Sequence, residues 1–272
     1  MYFVGIHLGE VTLDRQEPTA LVALRQKGRG KPVLVASLTV PEPRSKSVKL
    51  LDRFKEVLRR EMGEATVAAE ALGRYVDQVN AELVELVIEF QPGIVAIDAP
   101  LSLPDGRCGY GVRRCDLILG AEDDLRGVVP GGFAVDPSRV ARAFRGLALR
   151  DLLDREGLIY QEDVIETVPP AVLRRLGLTD YPVAGDFPGP LGRYFVMADA
   201  ERDDAGHDGD DHDDEGDDDF ADEDLDARGI FSSQSATGDE SIAAVAAVAA
   251  YLKYRGATKS LGDAEEGTIE LP

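Results

Sequence analysis

The chain has 272 residues, with 51 acidic against 30 basic side chains and a formal net charge of −21, a balance that disfavours loose binding to nucleic acid or to anionic lipid. Its 44% apolar residues can supply the core of one large or two modest domains. No run approaches the roughly 20 consecutive apolar residues that span a bilayer, MYFVGIHLGE opens the chain as a strand without a basic leader, and Cys108 and Cys115 are too few for a disulfide scaffold and lack a nearby His for zinc, so a cytoplasmic protein with reduced thiols is expected.

In chain order, residues 2–8, 19–24 and 32–40 are three β-rich runs with short connections, which predicts an antiparallel meander. A helical period follows over 47–58, with Val48, Leu51, Phe54, Val57 and Leu58 on one face. It resumes over 66–90, where Ala69, Leu72, Val76, Val79, Leu83, Leu86 and Val87 form the stripe. Gln91-Pro92-Gly93 stops that helix, and the continuous apolar run 94–98 then reads as a strand buried on both faces, ending in a carboxylate, Asp98. Beyond a Gly- and Arg-rich loop come a helix over 138–156, a strand over 163–167 ending near Glu166, and a short helix opened by Pro169-Pro170. An Ala-rich helix over 242–254 and a closing strand over 268–271 complete the pattern, which predicts an α/β fold with a mixed sheet and helices on its faces.

The charge is unevenly spread. Residues 199–228 hold 17 acids and 2 arginines, a local −15, and leave −6 for the rest. Aromatic and β-branched residues nearly vanish there, so the stretch cannot bury enough surface to offset its chain entropy. It is expected to be a disordered acidic insertion in a domain formed by 1–198 plus 229–272. Within it Asp211, Asp213, Glu215, Gly216 and Asp222 fall at calcium-loop positions, but the terminal bidentate Glu and the flanking helices are missing. Arginine outnumbers lysine 23 to 7, which fits either salt adaptation or GC-rich coding. No dinucleotide or Walker glycine spacing is present, and Ser102 and Ser138 have no catalytic partner in view.

VGIHLGE at the start, VAIDAPLSLP followed by RRCD, VIETVPPAVLRRLG, DESIAAVAAVAAYLKYRG and the ending EEGTIELP resemble, in order, the motifs of a family of predicted ribonuclease H-like nucleases, a domain of unknown function. The resemblance runs from residue 4 to 272, apart from the insertion. It implies a ribonuclease H-like mixed β-sheet flanked by helices, with acids from the first strand, the fourth strand and a late helix converging on Mg²⁺ or Mn²⁺. The implied activity is hydrolysis of nucleic-acid phosphodiesters, with nucleic acid as partner and no membrane. Hard divalent cations prefer carboxylate oxygens, and paired ions can activate water and stabilise a leaving oxygen.

On that resemblance Asp98 and Glu166 are the expected catalytic acids, and Asp98, Glu166, His7 and Asp239 the expected metal group. Each has a plainer reading: Asp98 caps a loop, while Glu166 and Asp239 are acids favoured near helix N-termini. His7 stands where the family has its first-strand Asp, and an imidazole suits Mn²⁺, Zn²⁺ or Ni²⁺ better than Mg²⁺. Ile242 stands where a helix Asp is expected. Arg107, Arg113 and Arg114 follow Asp98 closely, and a guanidinium fork suits a phosphate oxygen, with Arg107 and Arg114 as candidates; pairing of Arg114 with Asp116 is the structural alternative. A degenerate ribonuclease H-like binding or regulatory protein is the second functional expectation, and a sugar-kinase-like phosphotransferase a weaker third.

Overall fold

The computed structural model describes residues 1–9, 17–40, 65–105, 108, 112–125, 137–181, 187–198 and 238–272. The expected helix over 47–58 and the acidic insertion over 199–228 lie outside the described residues. The strands are β1 (Tyr2–His7), β2 (Thr19–Arg25), β3 (Val33–Val40), β4 (Pro92–Asp98), β5 (Val164–Glu166), β6 (Val196–Met197), β7 (Lys259–Asp263) and β8 (Gly267–Leu271). The helices are α1 (Ala65–Glu89), α2 (Arg114–Ala121), α3 (Pro137–Arg155), α4 (Pro169–Arg175) and α5 (Gly238–Tyr254).

The eight strands form one mixed sheet in the order β6-β3-β2-β1-β4-β5-β8-β7. β1, β2 and β3 are the antiparallel meander, whereas β4 pairs parallel to β1 and β5 parallel to β4. Strand alternation divides the core into two layers. Val4, Ile6, Leu21, Ala23, Val95 and Ile97 face α1 and α3. Phe3, Val22, Leu24, Ile94, Ala96 and Ile165 face α5, α4 and α2. With a helical layer on each side, β1 and β4 are buried throughout their middles, which is why they read as unbroken apolar runs.

α1 buries Tyr75, Val79, Leu83 and Val87, one residue per turn. It ends at Gln91, whose φ of 44° is the left-handed conformation that closes many helices, and Pro92 then begins β4. No helix among the described residues is long and apolar enough to cross a membrane.

Three elements differ from the sequence-based expectation. α2 is only eight residues and carries no clear stripe. β7, KSLGD, is short and polar, an edge strand that among the described residues is hydrogen-bonded on one side only, to β8. β6 is a two-residue pairing at the other edge.

α5 packs across the centre of the sheet, and all eight residues from Ala243 to Ala250 are fully buried. Six of the eight are alanine, which adds almost no thickness, and β1 presents Gly5 beneath them. A Cβ at Gly5 would collide with the backbone of Ala243 and Ala247, so the helix lies directly on the strand's main chain. Gly5→Ala is therefore expected to destabilise the protein by about 3 kcal/mol or more, since backbone rather than a flexible side chain blocks the methyl. Urea denaturation checks this, and a loss below about 1 kcal/mol would show that α5 yields.

Candidate functional site

β1 and β4 run parallel and in register, with His7 opposite Asp98 at their C-terminal ends. Open α/β sheets place their ligand crevices outside such strand ends. The two side chains point to the α5 side, and His7 Nδ1 lies 2.7 Å from Asp98 Oδ2. The first turn of α5 brings Asp239, whose Oδ1 is 3.6 Å from His7 Nε2. The structure thus brings together three of the four residues expected to form the metal group.

The fourth is engaged differently. Glu166 is 2% exposed and receives both edges of Arg113: Nη1 reaches Oε2 and Nη2 reaches Oε1, each at 2.6 Å. The Leu101 N–H adds a bond of 2.8 Å to Oε2. Arg113, 1% exposed, also grips Asp116 through Nε at 2.9 Å and Nη2 at 2.8 Å, and donates to the Ser102 hydroxyl at 3.1 Å. Burial works against charge on Arg113, but Glu166 and Asp116 outweigh it and hold the guanidinium protonated. Burial pushes the Glu166 carboxyl up, opposed by Arg113 and by the Leu101 amide. Glu166 therefore anchors the loop after β4, with both oxygens taken up inside the protein.

Of the arginines expected at phosphate, Arg107 lies outside the described residues. Arg114 leans away, with 60% of its side chain exposed and Nη1 3.2 Å from Asp263 Oδ2 on the β7–β8 hairpin. The partner of Asp116 is Arg113, not Arg114.

A cleft of about 370 Å³ opens at these strand ends, lined by His7, Asp98, Arg113, Arg142, Tyr181 and Ile242 among others. Ile242 does project into it, an apolar side chain where the resemblance puts an acid. Tyr181 stands near Asp98, and burial followed by that negative charge holds its phenol protonated, well above the ordinary range.

Arg142 was not among the expected site residues. It comes from α3 on the opposite layer, and its Nη2 lies 2.6 Å from Asp98 Oδ2 and 3.1 Å from His7 Nδ1. One turn on, the 4%-exposed Arg145 fixes the helix, donating to Gly9 O at 2.8 Å, Thr19 Oγ1 at 2.6 Å and Asn80 Oδ1 at 3.2 Å. Gly146 lets α3 approach the loop after β4, where a Cβ would come 2.7 Å from the Pro100 carbonyl oxygen. The available signal was the run SRVARAFRGLALR, in which Arg142 and Arg145 share a face that an amphipathic helix normally gives to apolar residues.

A two-ion carboxylate cage does not suit these residues, because Glu166 is saturated by Arg113 and Asp98 Oδ2 already serves His7 and Arg142. Among the described residues no three His, Cys, Asp or Glu side chains are placed to enclose an ion. A single divalent ion does fit the donor chemistry. With Nδ1 donating to Asp98, His7 presents the lone pair of Nε2 toward Asp239, the carboxylate–histidine arrangement that orients metal-bound imidazoles. Among the described residues, the carboxylates of Asp98, Asp116, Glu166 and Asp239 face the guanidiniums of Arg113 and Arg142 at these strand ends. Comparison of the chain with protein-family models, with curated proteins and with solved structures found no match.

Replacing Arg113 by Met should cost about 3–5 kcal/mol at neutral pH, because it strands buried carboxylates. Without its cation, Glu166 keeps a raised folded pKa. The deficit should therefore be smallest at low pH, where Glu166 is protonated, and grow as pH rises through that pKa. Denaturation of both proteins between pH 5 and 8 measures it; a deficit independent of pH would mean that Glu166 is not the stranded group.

Proposed function

We propose that the protein is a ribonuclease H-like, metal-dependent hydrolase acting on phosphodiester bonds of nucleic acid in the cytoplasm, with one divalent cation held by His7 Nε2 and Asp239. The observation that carries this reading is the meeting of His7, Asp98 and Asp239, from β1, β4 and α5, in one cleft at the strand ends. Further support comes from the mixed sheet itself, an antiparallel meander followed by two parallel strands with helices on both faces, since the resemblance implies a mixed sheet flanked by helices.

A cation bound there would polarise a phosphoryl oxygen and lower the pKa of a bound water. A nitrogen and a carboxylate favour Mn²⁺ over Mg²⁺. The chain's own groups do the rest. Asp98 fixes the tautomer and orientation of the His7 ring. Asp239 supplies negative charge beside Nε2. Tyr181, held protonated, offers a hydrogen-bond donor on the cleft wall, and Arg113 keeps Glu166 and the loop after β4 in place. Asp98 thus acts as the carboxylate that positions a metal-binding imidazole.

A second reading, a degenerate ribonuclease H-like binding or regulatory protein, is favoured by the saturation of Glu166 and by Ile242 in the cleft. Assays of RNA, DNA and hybrid substrates with Mg²⁺ or Mn²⁺ at high salt separate the two. Mn²⁺-dependent cleavage should fall about 10- to 100-fold in Asp98→Asn, the size typical for loss of an orienting carboxylate, and vanish in His7→Ala. Cleavage unchanged in both variants, or surviving a chelator, would overturn the hydrolase reading. Absence of cleavage together with Asp98-dependent binding of nucleic acid would establish the second.

A further inference from the structure

Two arginines among the described residues line the cleft, and they are satisfied very differently. Arg113 uses Nε, Nη1 and Nη2 in bonds to Glu166, Asp116 and Ser102, and so has no edge to offer a ligand. Arg142 makes its contacts among the described residues through Nη2 alone, to Asp98 and His7. Its Nε is buried without an acceptor among the described residues. A guanidinium carries five N–H donors in a planar fork, so among the described residues Arg142 is a charged donor held at one corner with the rest of the fork unengaged. Its side chain is 29% exposed, and it lines the cleft beside Asp98 and Tyr181.

The contact to His7 points the same way. If Nδ1 donates to Asp98, the approach of Arg142 Nη2 to Nδ1 at 3.1 Å brings two donors together, which is tolerable only because both converge on the same carboxylate oxygen. An anionic oxygen entering the cleft would give this guanidinium a partner that the described residues do not supply.

We propose that Arg142 is the residue that takes the phosphate group of the ligand, as a fork to its non-bridging oxygens, with its hold on Asp98 setting the guanidinium's position. The role expected of Arg107 and Arg114 falls to a residue from the opposite helical layer. This rests on the reading of the cleft as a cation-assisted phosphodiester site, and it adds the substrate-binding residue.

The test uses the full chain and two calorimetric titrations: Mn²⁺ into metal-free protein, and adenosine monophosphate into Mn²⁺-loaded protein. Arg142→Gln should weaken nucleotide binding roughly tenfold or more, the equivalent of about 1.4 kcal/mol, while Mn²⁺ affinity holds or rises because a positive charge near His7 is gone. Arg142→Lys should recover only part of the loss, since an ammonium is a point charge. Arg114→Gln should bind like the wild type. Opposite or split effects on cation and nucleotide are what a merely structural role would not produce. Loss of both affinities in Arg142→Gln, nucleotide affinity unchanged, or an equal loss in Arg114→Gln would each overturn the assignment. Failure of the wild type to bind Mn²⁺ would instead remove the cation reading on which it rests.

Discussion

The site depends on how closely α5 lies on β1. Gly5 and His7 are two residues apart on one strand and face the same side, about 6.6 Å from each other along it. Ala243 and Asp239 are four residues apart on the helix, about 6 Å along its axis. With Ala243 seated on Gly5, the matching rises bring Asp239 over His7. A side chain at Gly5, or bulk along the helix face, would lift the carboxylate away from the imidazole. The alanine-rich character of α5 is thus a requirement of the site as much as of the core.

Electrostatics then divides the polar residues at the strand ends into two groups. In one, Arg113 is fully surrounded by carboxylates and a hydroxyl, and burying these charges is tolerable because every donor is matched. That group holds the loop after β4 and the start of α2. In the other, a buried His7 is flanked by the partly exposed Asp98, Asp239 and Arg142, two carboxylates against one guanidinium and unevenly matched among the described residues. Two clusters built from the same residue types therefore serve different ends, and the difference is one of saturation. The first is closed on itself; the second leaves donors and acceptors unmatched among the described residues.

Much of the architecture was legible in the pattern of residues. The meander, β4, β5, α1, α3, α4 and α5 follow from apolar runs, helical stripes and proline or glycine stops, and Asp98 was conspicuous because a carboxylate closing a doubly buried strand has few structural uses. β6, β7 and α2 were not legible, since short edge pairings and a two-turn helix are held by their neighbours rather than by any periodicity of their own. Glu166 looked equivalent to Asp98, each a carboxylate ending a parallel strand, and nothing in spacing alone could tell that Arg113 would saturate one and Arg142 only touch the other.

The sequence by itself determined the class of fold and the strand ends at which chemistry-bearing side chains gather, because hydrophobic periodicity and chain punctuation are local properties. Only the tertiary structure decided which charges meet. Arg142 is 44 positions from Asp98 and Asp239 is 232 from His7, as their numbering shows, and whether two ionisable groups pair depends on a few ångströms set by packing between layers. Those ångströms made Glu166 an anchor, set Asp98 against an imidazole, and left Arg142 held by Nη2 alone among the described residues.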